Sequence, residues 1–297
     1  MRKRSVLIVG ALVLMCCASA WAQQTTYGDV MARFSRSATN RSLVSKDVVL
    51  ILDETARQLI VRHQERPLTV GYDDIERIVF DVSTHKRGGW AALLAPGAIG
   101  DAIGNSQVQE YWCYIEYKGT DGATQQYMLV IPKKASSAFI AKMQTLLGAK
   151  VTVARFDERG EEIKKKTLPD VGSKHDLKTD KVNRPMPEVK PGLALIVAVC
   201  PSVSIQVSPQ YKIHANDRVV LVNKEGSYGF AYLEPGEYLL ASQFINAHGF
   251  RMKLEAGQAY YFLQDTVGEG TTALSRHTKE LVMYELSGAA YADWKRK

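Results

Sequence analysis

The run VQEYWCYIEY at residues 108–117, with the residues that follow it, decides the fold class of this chain. Apolar and aromatic side chains alternate along it with a period of two, which is the spacing of a β-strand. The run KGTDG at 118–122 is typical of a hairpin turn, and QYMLVI at 126–131 predicts the returning strand. These residues therefore predict an antiparallel hairpin at the centre of a β-rich domain.

Working outward, we find the same strand signal before the hairpin and a helix signal after it. Runs rich in β-branched residues at 47–53, 58–63, 68–70 and 77–83 predict further strands. Apolar residues then recur at helical spacing, and Gly148 fits the C-cap: these are Phe139, Ile140, Met143, Leu146 and Leu147. Antiparallel strands followed by one amphipathic helix are the order of a pleckstrin-homology-like barrel. We expect such a domain over residues 45–156.

The second half predicts a separate small β-sandwich over residues 191–270. Short apolar strands alternate with turns there, and EPGE at 234–237 is a strong turn signal. Between the domains, residues 157–190 are densely charged and carry scattered prolines, so we expect an exposed linker. Residues 23–44 are interpreted as a polar leader and 271–297 as a tail of undecided secondary structure. The whole chain is expected to be mainly β, of the α+β class.

Four short motifs of the second half carry a resemblance to a known group of proteins. They are PGLALI at 191–196, GSYGF at 226–230, PGEY at 235–238 and AGQAYYF at 256–262. In this order they resemble bacterial exported proteins whose shared small β-sandwich domain has no known function. The resemblance implies a prealbumin-like or immunoglobulin-like topology. The runs VGYDDI at 70–75 and WCYIEYK at 112–118 look like the N-terminal, pleckstrin-homology-like part of similar envelope proteins.

The first residues of the chain predict export. Arg2, Lys3 and Arg4 precede an apolar run, and Ala20 and Ala22 form an A-x-A cleavage site before Gln23. We therefore expect a signal peptide over residues 1–22, cleavage after Ala22, and a periplasmic or secreted protein. An uncleaved anchor or a lipoprotein stays open as an alternative, although the apolar run is short for a membrane span.

Charge and cysteine content narrow the function classes. The chain has 297 residues and a formal charge of +7, and part of that charge leaves with the signal peptide. Such a mild excess in an exported protein does not favour nucleic acid as a partner. Beyond the signal, Cys113 and Cys200 lie in runs typical of buried strands. Two separate thiols and a disulfide between the domains are both open in an oxidising compartment.

The sequence carries no recognisable catalytic or metal-binding motif. Its histidines are scattered without metal-ligand spacing, which favours surface positions, and there is no G-x-S-x-G nucleophile elbow. The adjacent residues Asp73 and Asp74 could supply calcium ligands, but capping of a turn explains them equally without a metal. We therefore expect no cofactor, no metal and no catalytic activity.

Residues 86–105 form the most suggestive segment for function. A basic pair and a tryptophan open it, and a charge-poor apolar run broken by Pro96-Gly97 follows. This composition is typical of an exposed loop that contacts a protein partner or dips into a membrane interface, or of a small helical hairpin that covers the first domain. The candidate interaction residues are Lys86, Arg87, Trp90, Leu93, Leu94, Ile99 and Ile103.

These features favour a non-catalytic envelope protein that acts as an interaction module for a protein or surface partner, with peripheral membrane contact as a further option. Two other functions stay open. The first domain could carry a small hydrophobic or lipid ligand, and an envelope hydrolase would need histidine and carboxylates gathered in one cleft.

Overall fold

The computed structural model describes residues 24–35, 43–86, 107–156, 161–163, 175–201, 210–243, 246–266 and 271–295. Strands dominate, one helix follows the antiparallel strands of the first sheet, and further strands build a second sheet. The α+β class dominated by β is therefore confirmed. The signal segment and residues 202–209 of the expected β-sandwich domain lie outside the described residues.

The first module contains an eight-stranded sheet in the order β4-β3-β2-β1-β7-β6-β5-β8. Its strands are β1 (Gln24–Ser35), β2 (Leu43–Asp53), β3 (Gln58–Arg62), β4 (Leu68–Gly71), β5 (Ile75–Lys86), β6 (Gln107–Lys118), β7 (Thr124–Ile131) and β8 (Val151–Phe156). The β6–β7 hairpin forms as predicted, with Trp112 opposite Val130. The described neighbours are antiparallel except β8, which runs parallel to β5.

Helix α1 (Lys133–Leu147) lies between β7 and β8 and closes the core of the first module. Its apolar stripe buries Phe139 and Met143 completely. The Phe139 ring meets the ring of Tyr27 edge-on at 5.0 Å and that of Phe80 at 5.7 Å. Gly148 ends the helix with a φ of 55°, a conformation that glycine adopts without strain. The helix returns the chain to the far edge of the sheet, which is why β8 can be parallel.

The expected leader is part of this sheet. β1 begins at Gln24 and lies between β2 and β7, where Val30 and Ala32 are fully buried. Near its start it pairs with β2 alone, and a register shift between Tyr27 and Val30 places Asp29 at a φ of 57°. The first half of β1 is mostly polar, and its two fully buried side chains, Val30 and Ala32, are small, so the sequence gives little sign of a strand.

The second module contains an eleven-stranded sheet in the order β10-β19-β14-β11-β17-β18-β16-β15-β12-β13, with β9 beside β16. Its strands are β9 (Glu161–Ile163), β10 (Asp176–Asp180), β11 (Ala194–Cys200), β12 (Tyr211–Ala215), β13 (Arg218–Asn223), β14 (Ser227–Leu233), β15 (Gly236–Gln243), β16 (Asn246–Leu254), β17 (Ala259–Thr266), β18 (Thr271–His277) and β19 (Ala290–Lys295).

This sheet folds over a single core and is sandwich-like. Ile196 of β11 and Phe262 of β17 share a buried cluster with Ile213 of β12, Leu221 of β13 and Leu240 of β15. Strands from the middle and from one end of the sheet meet in that cluster, so the sheet must curl back on itself. The expected β-sandwich character is therefore present, although all eleven strands form one hydrogen-bonded sheet.

The charged segment and the C-terminal tail both belong to the second module. β9 and β10 fall within residues 157–190, and β10 pairs with β19 along its length. The C-terminal tail, whose secondary structure the sequence leaves undecided, includes β19, where Ala290 and Ala292 are buried. Helix α2 (Lys279–Gly288) precedes it, and the Thr278 side chain caps it by accepting the N–H of Leu281. Pairing between β10 and β19 therefore connects the charged segment to the C-terminal tail.

A shared apolar interface joins the two modules. Val79, Trp112 and Met128 on the outer face of the first sheet pack in one cluster with Leu195 and Leu281 of the second module. The interface explains why outward-facing positions of β5, β6 and β7 are apolar.

The helices in the described part of the chain include none with the length and hydropathy of a membrane span.

Candidate functional site

The predicted interaction surface lies almost wholly outside the described residues. Only the backbone of Lys86 is described, as the last residue of β5, where it pairs with Gln107 of β6. Arg87, Trp90, Leu93, Leu94, Ile99 and Ile103 are not described. The segment therefore leaves and re-enters the sheet at one end of the β5–β6 hairpin, and its role stays a prediction.

Of the two alternatives for the cysteines, the structure contains separate buried thiols. Cys113 lies in the core of the first module and Cys200 at the end of β11, and no disulfide joins them. Burial raises the pKa of the Cys113 thiol well above its ordinary value, so it stays protonated and unreactive.

The histidines divide into surface and buried groups. His63 caps a turn, since its Nδ1 accepts the N–H groups of Glu65 and Arg66. His214 and His277, in contrast, are almost completely buried, so the expectation of surface positions is wrong for these two. Asp73 forms an exposed ion pair with Arg57 rather than part of an acidic cluster. No group of three metal-ligating side chains occurs in the described ranges.

A buried polar cluster links the modules around Asp81 of β5. Its Oδ1 lies 3.2 Å from His277 Nδ1, and its Oδ2 accepts the Thr278 N–H at 2.6 Å and the Thr278 hydroxyl at 2.9 Å. On the other side of the imidazole, Nε2 lies 2.9 Å from Ser275 Oγ. The carboxylate is satisfied by several donors, as a buried charge must be.

This cluster has the serine–histidine–aspartate order of a hydrolase but not its accessibility. Ser275 lies inside β18, paired with Leu263 of β17, and is only 9% exposed. A nucleophilic serine must instead present its hydroxyl to a substrate, on a turn beside oxyanion donors. We interpret Asp81, His277 and Thr278 as a structural connection between the modules.

Helix α2 carries further connections across the same interface. Glu285 forms a buried ion pair with Arg33 of β1, with Oε1 2.6 Å from the guanidinium, and the Tyr284 hydroxyl donates to the Arg33 carbonyl. Near the start of the helix, Glu280 accepts from Arg77 of β5 at 2.7 Å. Two ion pairs and the Asp81 cluster therefore hold the first module against one helix of the second.

A row of aromatic rings covers the same side of the second sheet, next to α2. We call it the aromatic face; it consists of Tyr228, Phe230 and Tyr232 of β14 and Tyr291 of β19. The three β14 residues share one side because strand side chains alternate. The Phe230 ring stacks on Tyr291 at 5.8 Å and meets Tyr232 edge-on at 6.1 Å. Tyr228 packs against Tyr291 at 5.6 Å.

Residues 184–190, with the sequence RPMPEVK, run across the aromatic face without forming helix or strand. We call them the strap. The Tyr228 hydroxyl donates to the Pro185 carbonyl at 2.8 Å, and the Tyr232 hydroxyl donates to the Glu188 carbonyl at the same distance. Both tyrosines thus recognise the strap through its main chain.

Two cations of the strap add to these contacts. The Arg184 guanidinium donates to the carbonyls of Leu286 and Ser287 at the C-terminal end of α2 and stacks over the Tyr228 ring at 5.9 Å. The Lys190 ammonium lies 4.1 Å from the centre of the Tyr232 ring. The negative end of the helix dipole and the faces of the rings both attract positive charge. Both cations of the strap therefore lie beside groups that attract positive charge.

Turns fix both ends of the strap. At its start, the Asp180 carboxylate accepts the N–H groups of Val182 and Asn183. At its end, Leu193 donates to the Lys190 carbonyl, and Gly192 adopts a φ of 80° before β11 begins.

Burial raises the pKa of the Tyr228 hydroxyl. This hydroxyl therefore remains a hydrogen-bond donor to the strap at neutral pH.

Sequence reasoning missed the aromatic face and the buried cluster. The motif GSYGF at 226–230 contains Tyr228 and Phe230, but as a sequence it indicates no binding surface. Nothing in the spacing indicated that residues 184–190 would cover that side, because the segment was assigned to a solvated linker.

No known protein-family model matches this chain. No curated protein matches it significantly either.

Proposed function

We propose that the chain is a non-catalytic binding protein of the bacterial cell envelope, exported by its N-terminal signal, that holds a protein partner at the aromatic face. The observation that carries the proposal is the pair of tyrosine hydroxyls, Tyr228 and Tyr232, that donate to main-chain carbonyls of an extended segment. These two hydrogen bonds recognise the main chain of the segment rather than a particular side chain, as peptide-binding surfaces do.

The packing of the two modules supports a binding scaffold. A buried ion pair and an apolar cluster connect the first sheet to α2, which lies beside the aromatic face. A surface held by rigid elements loses little conformational entropy when a partner binds. Segment 86–105 remains a candidate second contact, for a protein or a membrane surface.

The other two functions find less support in the described residues. The interior of the first module is filled by α1 side chains, with Phe139 and Met143 fully buried, where a carrier would need room for its ligand. The one serine–histidine–aspartate arrangement that the described ranges contain is buried between the modules.

The experiment is a quantitative co-purification of the tagged chain from the exported fraction of its own cells. The test variant carries Tyr228→Phe and Tyr232→Phe, which keep both rings and remove both hydroxyls. Tyr238→Phe is the matched control, because its hydroxyl bonds to the Glu234 carbonyl away from the aromatic face. We expect a co-purifying protein with the unchanged chain and the control, and its loss from the test variant. Equal recovery from all three chains, or bare chain from all three, contradicts the proposal.

A further inference from the structure

The strap has the composition of a proline-rich ligand and forms neither helix nor strand. Proline fixes its own φ and drives the residue before it toward extended geometry. Pro185, Pro187 and Pro191 therefore constrain most of the segment. The two carbonyls that accept from the tyrosines, those of Pro185 and Glu188, are three residues apart. A polyproline-II helix has three residues per turn, so it points such carbonyls in the same direction.

Two apolar side chains of the strap stay about half-exposed, while Pro185 and Pro187 are partly buried. Met186 is 50% exposed and Val189 44% exposed, and Val182 just before the strap is 94% exposed. Hydrogen bonds to carbonyls and two cation–ring contacts hold the segment, while its large apolar groups face solvent. A segment that placed apolar groups on the rings would bury more surface and bind more strongly.

The strap also keeps the aromatic face covered. Without it, Phe230 and Tyr232, already partly exposed, would form a continuous ring surface with Tyr291. Exposed patches of this kind mark contact sites in soluble proteins. Because the strap belongs to the same chain as the face, only a ligand that binds more tightly than the strap can displace it.

We infer that the strap is an exchangeable occupant, and that the aromatic face binds in its place a polyproline-II segment of another protein, with a P-x-P core and a flanking arginine or lysine. The basic residue of that ligand takes the position of Arg184 at the C-terminal end of α2. This inference rests on the proposed function and names the chemistry of the partner.

The test uses the full chain and a labelled peptide of sequence NRPMPEVKP, which copies residues 183–191, in a fluorescence anisotropy titration. Arg184→Ala in the protein removes the charged hydrogen bonds that hold the strap to α2, while the peptide keeps its own arginine. Charged hydrogen bonds contribute about 1.5–3 kcal/mol each, which corresponds to at least about tenfold in affinity. We expect the peptide to bind Arg184→Ala at least about tenfold more tightly than the unchanged chain.

Two further sets of variants distinguish recognition of the peptide by the aromatic face from a general loosening of the protein. Tyr228→Phe or Tyr232→Phe, added to Arg184→Ala, should each weaken the peptide about fivefold, and Tyr238→Phe should leave it unchanged. A peptide with both internal prolines replaced by alanine should also bind more weakly. Circular dichroism confirms that each protein variant is folded.

Three results overturn the inference: no binding to Arg184→Ala, equal binding to Arg184→Ala and the unchanged chain, or equal binding of the alanine peptide. If the peptide does not bind but co-purification still depends on the Tyr228 and Tyr232 hydroxyls, the proposed function stands and the partner has another chemistry. If co-purification fails while the peptide binds, the face recognises such segments but the proposed cellular role is wrong.

Discussion

His277 Nδ1 lies 3.2 Å from Asp81 Oδ1, although 196 residues separate the two in the chain. Asp81 belongs to the first module, and His277 ends β18 of the second, directly before α2. The contact is buried and sits at the centre of the surface that joins the modules. The chain is therefore held together by polar contacts as well as by the apolar interface, and this arrangement fixes α2 beside the aromatic face.

Asp81→Ala should strongly destabilise the folded chain. The substitution leaves His277 and both donors of Thr278 without their shared acceptor in a dry interface. Loss of one partner from such a buried charged cluster costs about 3–5 kcal/mol. Urea titration measures this destabilisation as the decrease in the free energy of unfolding. The exposed Asp73, paired with Arg57, provides the matched control, because Asp73→Ala should cost about 1 kcal/mol or less. Equal midpoints for the two variants would refute the structural role of Asp81.

The ion pair between Arg33 and Glu285 should couple the modules energetically. Glu285 is 2% exposed at its side chain, so Glu285→Gln leaves the Arg33 charge poorly compensated. We expect each single change, Arg33→Met or Glu285→Gln, to cost about 3 kcal/mol, and the double change to cost less than the sum. A double-mutant cycle on unfolding free energies measures the coupling. Strict additivity would show that the two residues do not interact in solution.

Stability should fall in acid partly because of Glu116. Hydrogen bonding from Arg77 holds the pKa of this carboxyl below its ordinary value of 4.5. A carboxyl whose pKa is lowered by folding stabilises the protein above the unfolded value and loses that contribution as pH falls through the folded value. Glu116→Gln should therefore flatten the loss of stability below about pH 4.5. The effect is about 1 kcal/mol or less because Arg77 is 44% exposed at its side chain.

Unfolding free energies measured between pH 7 and pH 3 test this prediction. Tyr117→Phe, which removes a hydroxyl that donates to the Gln125 side chain in the same sheet, is a control in which neither partner titrates between pH 7 and pH 3. It should lower the whole curve slightly and leave its slope unchanged. A Glu116→Gln curve parallel to that of the unchanged chain would contradict the assignment.

The thiols of Cys113 and Cys200 should resist modification in the folded protein. Both are buried, and burial raises the pKa of the Cys113 thiol so that little thiolate forms. A colorimetric thiol reagent at pH 8 should react with these two residues only after denaturant is added. Rapid reaction of the native chain, or a mass two hydrogens lower under non-reducing conditions, would argue for exposure or for a disulfide.

Ser275 should not behave as an activated nucleophile. Its hydroxyl contacts His277 but lies inside a paired strand between the modules. A fluorophosphonate probe should leave the native chain unlabelled, as judged by intact mass, and Ser275→Ala should give the same result. Labelling of the unchanged chain that disappears in Ser275→Ala would restore the hydrolase hypothesis.

Local pattern predicted the fold class and several of its elements. The β6–β7 hairpin, helix α1 and its end at Gly148 follow from alternation, helical spacing and glycine geometry. These signals act between neighbours in the chain, so a single sequence contains them. The strands β1, β10 and β19 carry weaker signals, because they pair with partners far along the chain.

The candidate site could not be predicted for the same reason. The strap meets Tyr228 and Tyr232 across about 43 and 44 positions of sequence, through its carbonyls, which leave no pattern in side chains. Likewise, nothing in the local sequence distinguishes Asp81 from other strand residues. Its role follows only from its contacts with the second module. Contacts between distant main-chain groups depend on the assembled fold and have no local signature.

The most direct test of the central claim is photocrosslinking at the aromatic face in living cells. Tyr232→p-azidophenylalanine places the reactive group beside the Glu188 carbonyl, and the same change at Tyr238 is the control. Our account predicts that Tyr232, but not Tyr238, becomes covalently attached to another exported protein at a proline-containing segment. Attachment only to residues 184–190 of the same chain would show that the face serves the strap alone and would contradict the account.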